Sequence, residues 1–349
     1  MAPAISSASV SVIICAYADR RWKELLAAIA SVAGQSAPPL ETIVVVDHNR
    51  ALSDRLRVAV PDVRVLDNAQ QRGLSGARNT GVATARGALV AFLDDDAVAA
   101  PDWLAWLTPT FEDSRVVAVG GATDPLWAGP RPRWFPDEFG WVLGYSYRGL
   151  PPEACAVRNP FGCNMVICRE VVEAVGGFRH GIGRVGTHPV GGEETDLCIR
   201  ARQLRPETII IYEPRARIGH WVPEDRARPR YFARRCYAEG LSKALIAERT
   251  GADAALASER DYVRHVLPAG VARGLGDALG GRDAAGAARA AAILGGLAIT
   301  TLGYVRAAAE LRMRRLRARA LTLPGCREAA PDDHGGAGGY TKPVHGVAK

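Results

Sequence analysis

Short apolar runs rich in β-branched residues recur along the first third of the chain, each followed by a stretch of helical periodicity or by turn residues. VSVIIC (10–15), TIVVV (42–46), the pair Val63 and Val65, ALVAFL (88–93) and VVAV (116–119) read as five buried strands. Runs this short, without polar alternation, fit strands covered on both faces. Between the first two, Trp22, Leu25, Leu26, Ile29 and Val32 make one apolar helical face, with Asp19 placed to cap it and Gly34 and Pro38-Pro39 to end it. Further helices are predicted from Ser75 to about Arg86, from Pro101 and Trp103, and over 169–175, and a further strand over 208–212. This alternation requires an α/β fold: a doubly wound, mainly parallel sheet with helices on both faces. Ligands of such sheets lie beyond the carboxyl ends of the strands. Asp47 and the triplet Asp94-Asp95-Asp96 stand at two of those ends.

The 349 residues divide into an α/β domain at 1–225, an Arg- and Ala-rich helical appendage at 226–320, and a tail at 321–349 whose Gly, Pro and charge content predicts disorder. Residues 124–160, rich in Trp, Pro, Gly and Tyr, read as an irregular excursion over the sheet that contributes to an acceptor site. The formal charge of +7 is concentrated in two clusters, Arg226, Arg228, Arg230, Arg234 and Arg235, then Arg306, Arg312, Arg314, Arg315, Arg317 and Arg319. Such clusters suit phosphates, anionic lipid headgroups or nucleic acid, or simply a solvated face. Seven cysteines without a CxxC pair read as reduced, mostly buried thiols rather than a zinc site. Residues 1–9 carry no charged side chain and no long apolar core, so no leader is expected there. Residues 290–305 are free of charge, but 16 residues of helix span only about 24 Å against a hydrocarbon core of about 30 Å. The stretch can lie on a membrane, pack on a partner helix or fold back on the domain.

Four constellations carry chemistry. Adjacent carboxylates such as Asp94, Asp95 and Asp96 repel unless a cation lies among them, and Mg²⁺ or Mn²⁺ prefers carboxylate and phosphate oxygens. The plainer reading is a solvated acidic turn. Gly73, Ser75 and Gly76 open a helix between Arg72 and Arg78, a pattern that lets backbone N–H groups and guanidinium groups approach a diphosphate. Glu193, Glu194 and Asp196 begin another helix; one of them can take a proton from an attacking hydroxyl, although acids at a helix start are also favoured by its dipole. His220 can complete a metal site, contact phosphate or be structural.

Taken in order, VSVIICAYADR, TIVVVDHNR, QQRGLSGARNTGVATARGALVAFLDDD, FGCNMVICREVVEAVGGF and GGEETDLCIR resemble the family 2 glycosyltransferases, which have the GT-A fold. The likeness runs from Val10 to about His220. It implies that Ala16 and Tyr17 pack the nucleotide, that Asp47 hydrogen-bonds the base, and that Arg72, Gly73 and Arg78 form the nucleotide-side loop. It makes Asp94 and Asp96 the outer acids of a DXD motif, with Asp96 nearest the metal and Asp95 beside the donor. Gly162 and Asn164 match a segment lining the acceptor side, and Glu194 aligns with the catalytic base. The family more often has Glu-Asp where this chain has Glu193-Glu194, which keeps Glu193 and Asp196 as alternatives. The second strand ends in Asp-His-Asn, another departure, which bears on the base. The segment YFARRCYAEGLSKA (231–244) is also similar to members with a membrane-facing helical appendage, some of which act on lipid-linked sugars.

The resulting expectation is single displacement with inversion at the anomeric carbon. The donor is a nucleotide-diphosphate sugar, a UDP-sugar favoured, and the acceptor a hydroxyl of a lipid-linked or cell-envelope glycan. The metal stabilises the leaving diphosphate, and a glycine-rich loop at 181–192 closes over the donor. The location expected is cytoplasmic, free or peripheral on the inner face of an anionic membrane; nucleic acid is not an expected partner. A sugar-1-phosphate nucleotidyltransferase would want a glycine-rich basic loop after the first strand, where this chain has Ala16-Tyr17-Ala18-Asp19. A non-catalytic nucleotide-sugar or lipid-binding protein of the same fold is the remaining alternative.

Overall fold

The computed structural model describes residues 9–185 and 190–322, with side chains as far as residue 317. Four strands, β1 (Val10–Ala16), β2 (Glu41–Val46), β3 (Arg64–Asp67) and β4 (Leu89–Asp94), lie in the order β3-β2-β1-β4 and are all parallel. Alternate residues of the central strands feed two cores. Val12 and Ile14 meet Leu25, Ile29 and Val32 of α1 (Trp22–Ala33) and Leu52 and Leu56 of α2 (Arg50–Ala59) on one face. Ile13, Val45 and Phe92 meet Ala77 and Val82 of α3 (Leu74–Thr84) on the other. This is the burial on both faces that unbroken Val/Ile runs require.

After β4 the chain adds β5 (Ala97–Ala99), α4 (Trp103–Leu107), β6 (Val116–Trp127), β7 (Cys155–Ala156), β8 (Asn164–Cys168), α5 (Arg169–Ala174), α6 (Glu193–Leu204) and β9 (Ile209–Val222). The sheet continues β4-β8-β6-β9-β5, with β7 also on β9. β8 runs antiparallel to both β4 and β6, and β9 runs parallel to β6. The sheet is therefore mixed, its parallel half being the part read from the alternating runs. Apolar runs do not encode the direction of the neighbouring strand, so the reversal at β8 was not in them.

Two local expectations change. Asp19 does not cap α1, whose start has no side-chain cap; its carboxylate accepts from Asn49 Nδ2 at 3.0 Å. Asn49 in turn caps α2, Oδ1 accepting from Leu52 N–H at 3.2 Å, a helix whose sparse apolar spacing gave little signal. β9 is also far longer than the predicted 208–212 strand. It bulges against β6 where the register moves from Gly121↔Glu213 to Ala122↔Arg217. A Cβ on Gly121 would lie 1.8 Å from Ala216 O, so glycine is needed at that kink. Beyond the kink, His220 pairs with Ala97 and Trp221 N–H donates to Asp96 O at 2.9 Å.

The remaining helices are α7 (Pro229–Thr250), α8 (Ala252–Ala255), α9 (Ala257–Asp261), α10 (Leu267–Leu279), entered through a π turn at Tyr262–Val266, and α11 (Ala285–Thr322). Among the described residues one compact unit runs to Leu311, and the chain from Arg312 onward is separate from it. Phe135, Phe139, Val142 and Tyr145 of the excursion share a third core with Phe232 and Cys236 of α7, Leu267 of α10 and Ile293 of α11. The segment Ala285–Arg317 is one helix, long and apolar enough to cross a membrane, with 22% of its most apolar window buried. The charge-free stretch at its centre is short, but the helix extends beyond it at both ends. The expectations for residues 1–8, for the tail beyond residue 322 with Cys326, and for 186–189 of the glycine-rich loop fall outside the described residues.

Candidate active site

β4 delivers Asp94 to the carboxyl edge of the sheet, where the chain turns into β5 and holds Asp95 and Asp96 beneath it. Asp94 is partly exposed, whereas Asp95 and Asp96 are buried. Carboxylate oxygens of Asp94 and Asp96 and a ring nitrogen of His220 lie within 4.8 Å of one another. Arg21 pairs with Asp95 and lies 3.0 Å from Asp96. Arg226 Nη2 and His220 Nε2 each stand 3.3 Å from Asp96. Burial alone would raise the Asp96 carboxyl, but His220, Arg21 and Arg226 overcome it and hold the group ionised. Burial and the neighbouring acids push Asp95 up, against the pull of Arg21. Asp95 Oδ2 and His220 Nδ1 are buried with no hydrogen-bond partner among the described residues. Two carboxylates and an imidazole converging in this way are a donor set that fits a divalent cation.

The second acidic set is tied to the first by one side chain. Arg78, on α3 and 2% exposed, places Nη1 2.9 Å from Glu193 Oε1 and Nη2 3.7 Å from Asp94 Oδ1. The same Nη2 donates to Gly162 O at 2.8 Å. Its guanidinium lies 5.2 Å from the Phe92 ring centre and 5.4 Å from that of Phe178. Glu193 is thereby ion-paired in place at the start of α6. Asp196, wholly buried, is bound by Arg200 Nε at 2.8 Å and Arg179 Nη1 at 3.2 Å. Glu194 is the acid of this turn without an ion pair among the described residues, and it is only half-buried. Its carboxyl is pushed up to about 7, first by burial and then by Glu193, with Arg78 opposing. A carboxylate poised near neutrality is suited to accept a proton.

The nucleotide-side residues gather around the ends of β1 and β2. Asp47 Oδ1 accepts from Asn68 Nδ2 at 2.7 Å, and Oδ2 accepts from Gly73 N–H at 3.0 Å. Ala16 is buried, Tyr17 is exposed beside Arg20 and Arg21, and Arg72 reaches His48 O at 3.4 Å. The start of α3 is closed by the chain itself: Leu74 N–H donates to Arg184 O at 3.0 Å and Ser75 Oγ to Ile182 O at 2.6 Å. The N–H groups of Gly73 and Leu74, expected to face an anion, are therefore used internally.

Asn164 is not brought to the cleft. Fully buried, it accepts from Trp103 Nε1 at 2.7 Å and donates to Ala122 O and Ala216 O at 2.8 and 3.2 Å, joining β8 to β6 and β9. Gly162 contributes a carbonyl to Arg78. The sequence reading missed Arg21 and Arg226 as partners of the acid triplet, and Arg184, whose charge is felt by Asp94, Asp96 and Glu193. Arg226 lay in a recognised basic cluster. Arg21 and Arg184 carried no pattern, since only the fold brings them to β4.

Sheet order, acid triplet and α6 together define an architecture of GT-A type. Residues 11–176 match the family described as Glycosyl transferase family 2. A glucosyl-dolichyl phosphate glucuronosyltransferase of Haloferax volcanii is 36% identical over 241 residues, covering 68% of this chain and 77% of that one. The succinoglycan biosynthesis protein ExoM of Rhizobium meliloti is 28% identical over 246 residues, with 68% and 74% covered. The chain belongs to the family 2 glycosyltransferases and is a glycosyltransferase. Among solved structures, the mannosyltransferase PcManGT from Pyrobaculum calidifontis, in complex with GDP-Man and Mn²⁺, superposes with a TM-score of 0.52 at 20% identity over 84% of this chain and 87% of that one. It shares the GT-A fold.

Proposed function

We propose that the protein transfers a sugar, with inversion, from a nucleoside diphosphate donor to a hydroxyl of a lipid-linked glycan acceptor, using Glu194 as the general base. The observation that carries this reading is Arg78: one buried guanidinium spans Asp94 of the triplet and Glu193 beside Glu194, so the two acidic sets meet at one side chain. Asp94, Asp96 and His220 would hold a divalent cation, which when bound supplies positive charge to the departing diphosphate. A divalent cation and a doubly negative diphosphate add no net charge, so the triplet, already lined by Arg21 and Arg226, favours their arrival together. Tyr17 and Asp47 orient the nucleoside, and Arg72 and Arg184 offer further charge to its phosphates. Gly162 stands on the acceptor side. Glu194 takes the proton as the acceptor oxygen attacks the anomeric carbon on the face opposite the leaving group. The lipid-linked acceptor is supported by the name of the Haloferax relative, and in this reading the enzyme works at the inner face of a membrane. Residues 1–225 are the catalytic domain in this reading and 226–320 its appendage.

The test is transfer and binding with two variants. Thermal-shift titration against UDP- and GDP-sugars with Mn²⁺ selects the donor. Glu194→Gln should then bind that donor as the wild type does while losing at least about a hundredfold in turnover. Asp96→Ala should lose the metal-dependent part of donor binding. A dead Glu193→Gln beside an active Glu194→Gln would reassign the base. Donor binding without any turnover in the wild type, over a panel of lipid-linked acceptors, would favour a non-catalytic binder.

A further inference from the structure

The long C-terminal helix carries two faces with opposite demands. Its inner face is locked to the body. Added Cβ atoms would lie 2.2 Å from Gly274 O at Gly286, 2.5 Å from the Phe139 ring at Gly296 and 2.3 Å from Tyr237 O at Gly303. Ala290 and Ile293 are buried between these points, and Ile293 belongs to the core built on Phe139 and Phe232. The outer face runs Ala287, Ala291, Leu294, Ala298, Leu302, Val305 and Ala309 at helical spacing, all exposed and all apolar. Leu294 is 57%, Leu302 62% and Val305 57% exposed. The helix before it adds Leu275 and Leu279, also exposed.

A membrane-spanning helix needs about 20 residues with lipid or other spanning helices around them. α11 meets the length and fails the surroundings. Freeing it would strip its inner face from Phe139, Phe232 and the backbone of α7 over residues 286–303. A helix held by one face that shows a continuous apolar stripe on the other suits a flat, half-polar environment. The charge selects which. Between residues 262 and 322 there are ten arginines and three acidic residues, an excess of seven that equals the formal charge of the whole chain, +7. Between Asp283 and Glu310 no acidic residue interrupts α11. An apolar stripe followed along the chain by Arg312, Arg314, Arg315, Arg317 and Arg319 has the composition that complements acyl chains and anionic headgroups.

We propose that α11 is an in-plane membrane dock: its outer stripe lies in the interface of an anionic bilayer without crossing it. The inference stands on the helix itself and holds whatever sugar or acceptor the active site uses. The full chain should co-sediment with phosphatidylglycerol vesicles far more than with phosphatidylcholine vesicles, and more weakly as salt rises. Leu294→Asp combined with Leu302→Asp should lower partitioning at least about tenfold while the unfolding midpoint stays at the wild-type value, since both side chains point outward. Alkaline carbonate should release the bound protein. Retention through carbonate extraction would mean a spanning helix and overturn the proposal. So would absence of binding to the anionic vesicles, or a soluble dimer that the double variant converts to monomer, which would make a second copy the cover of this face.

Discussion

Arg78 is the residue on which most of the site's electrostatics converge. Its removal leaves Glu193 buried without its ion-pair partner. Arg78→Met should therefore cost about 3–5 kcal/mol in urea unfolding, the usual range for breaking a buried pair. Arg78→Lys keeps the charge but loses the fork that reaches three oxygens, and should fall between the two. Glu194 gives a pH signature. A base works only when deprotonated, and its pKa is raised to about 7 by burial and by Glu193. Turnover should fall as pH drops through about 7, tenfold per unit below it. Glu193→Gln removes the like charge and frees Arg78, so the acid limb should move to lower pH, as read from rate profiles. Asn164→Leu separates the acceptor-side role that the family resemblance implies from the strand-joining role that the fold gives it. It strands Trp103 Nε1 and two carbonyls in the core, at about 1–3 kcal/mol for each unpaired group. The donor affinity of the folded fraction should stay unchanged, whereas a residue lining the cleft would alter binding or turnover.

At the scale of elements, the parallel half of the sheet was legible because β1, β2 and β4 are buried on both faces and so show as unbroken Val/Ile runs. β8 and the far end of β9 were not, because Asn164, Pro214 and His220 interrupt their apolar pattern and only pairing explains them. The acid triplet and the Glu193–Asp196 turn were legible as motifs. Their division of labour was not, since it depends on Arg200 reaching Asp196 and Arg78 reaching Glu193. The helical appendage has its own ionic anchor. Glu259 on α9 pairs with Lys243 of α7 and with Arg158. Burial opposes ionisation, yet Lys243 and Arg158 together lower its carboxyl to about 2 from an ordinary 4.5. A depressed carboxyl stabilises the fold fully above its unfolded value and loses that contribution as pH falls towards the folded one. The shift corresponds to up to ~3 kcal/mol. Acid unfolding should steepen between pH ~4.5 and ~2, and Glu259→Gln should remove that steepening in a Tm-against-pH series.

For the molecule as a whole, chelation tests the role given to the triplet. With EDTA, transfer should stop and return on adding Mn²⁺ or Mg²⁺, while the unfolding midpoint without donor changes little, because Arg21, Arg226 and His220 already offset the buried acids. Calorimetry with and without the ion should then show donor affinity rising with metal and metal affinity rising with donor by the same factor. The shared guanidinium of Arg78 carries this reciprocity further. Any cation that draws Asp94 toward itself leaves Arg78 more completely to Glu193, which shields Glu194 from its like-charged neighbour. In the proposed mechanism, loading the donor side thus re-tunes Glu194 on the acceptor side across a single side chain. An engineer who replaces either carboxylate set alone would detune the other as well.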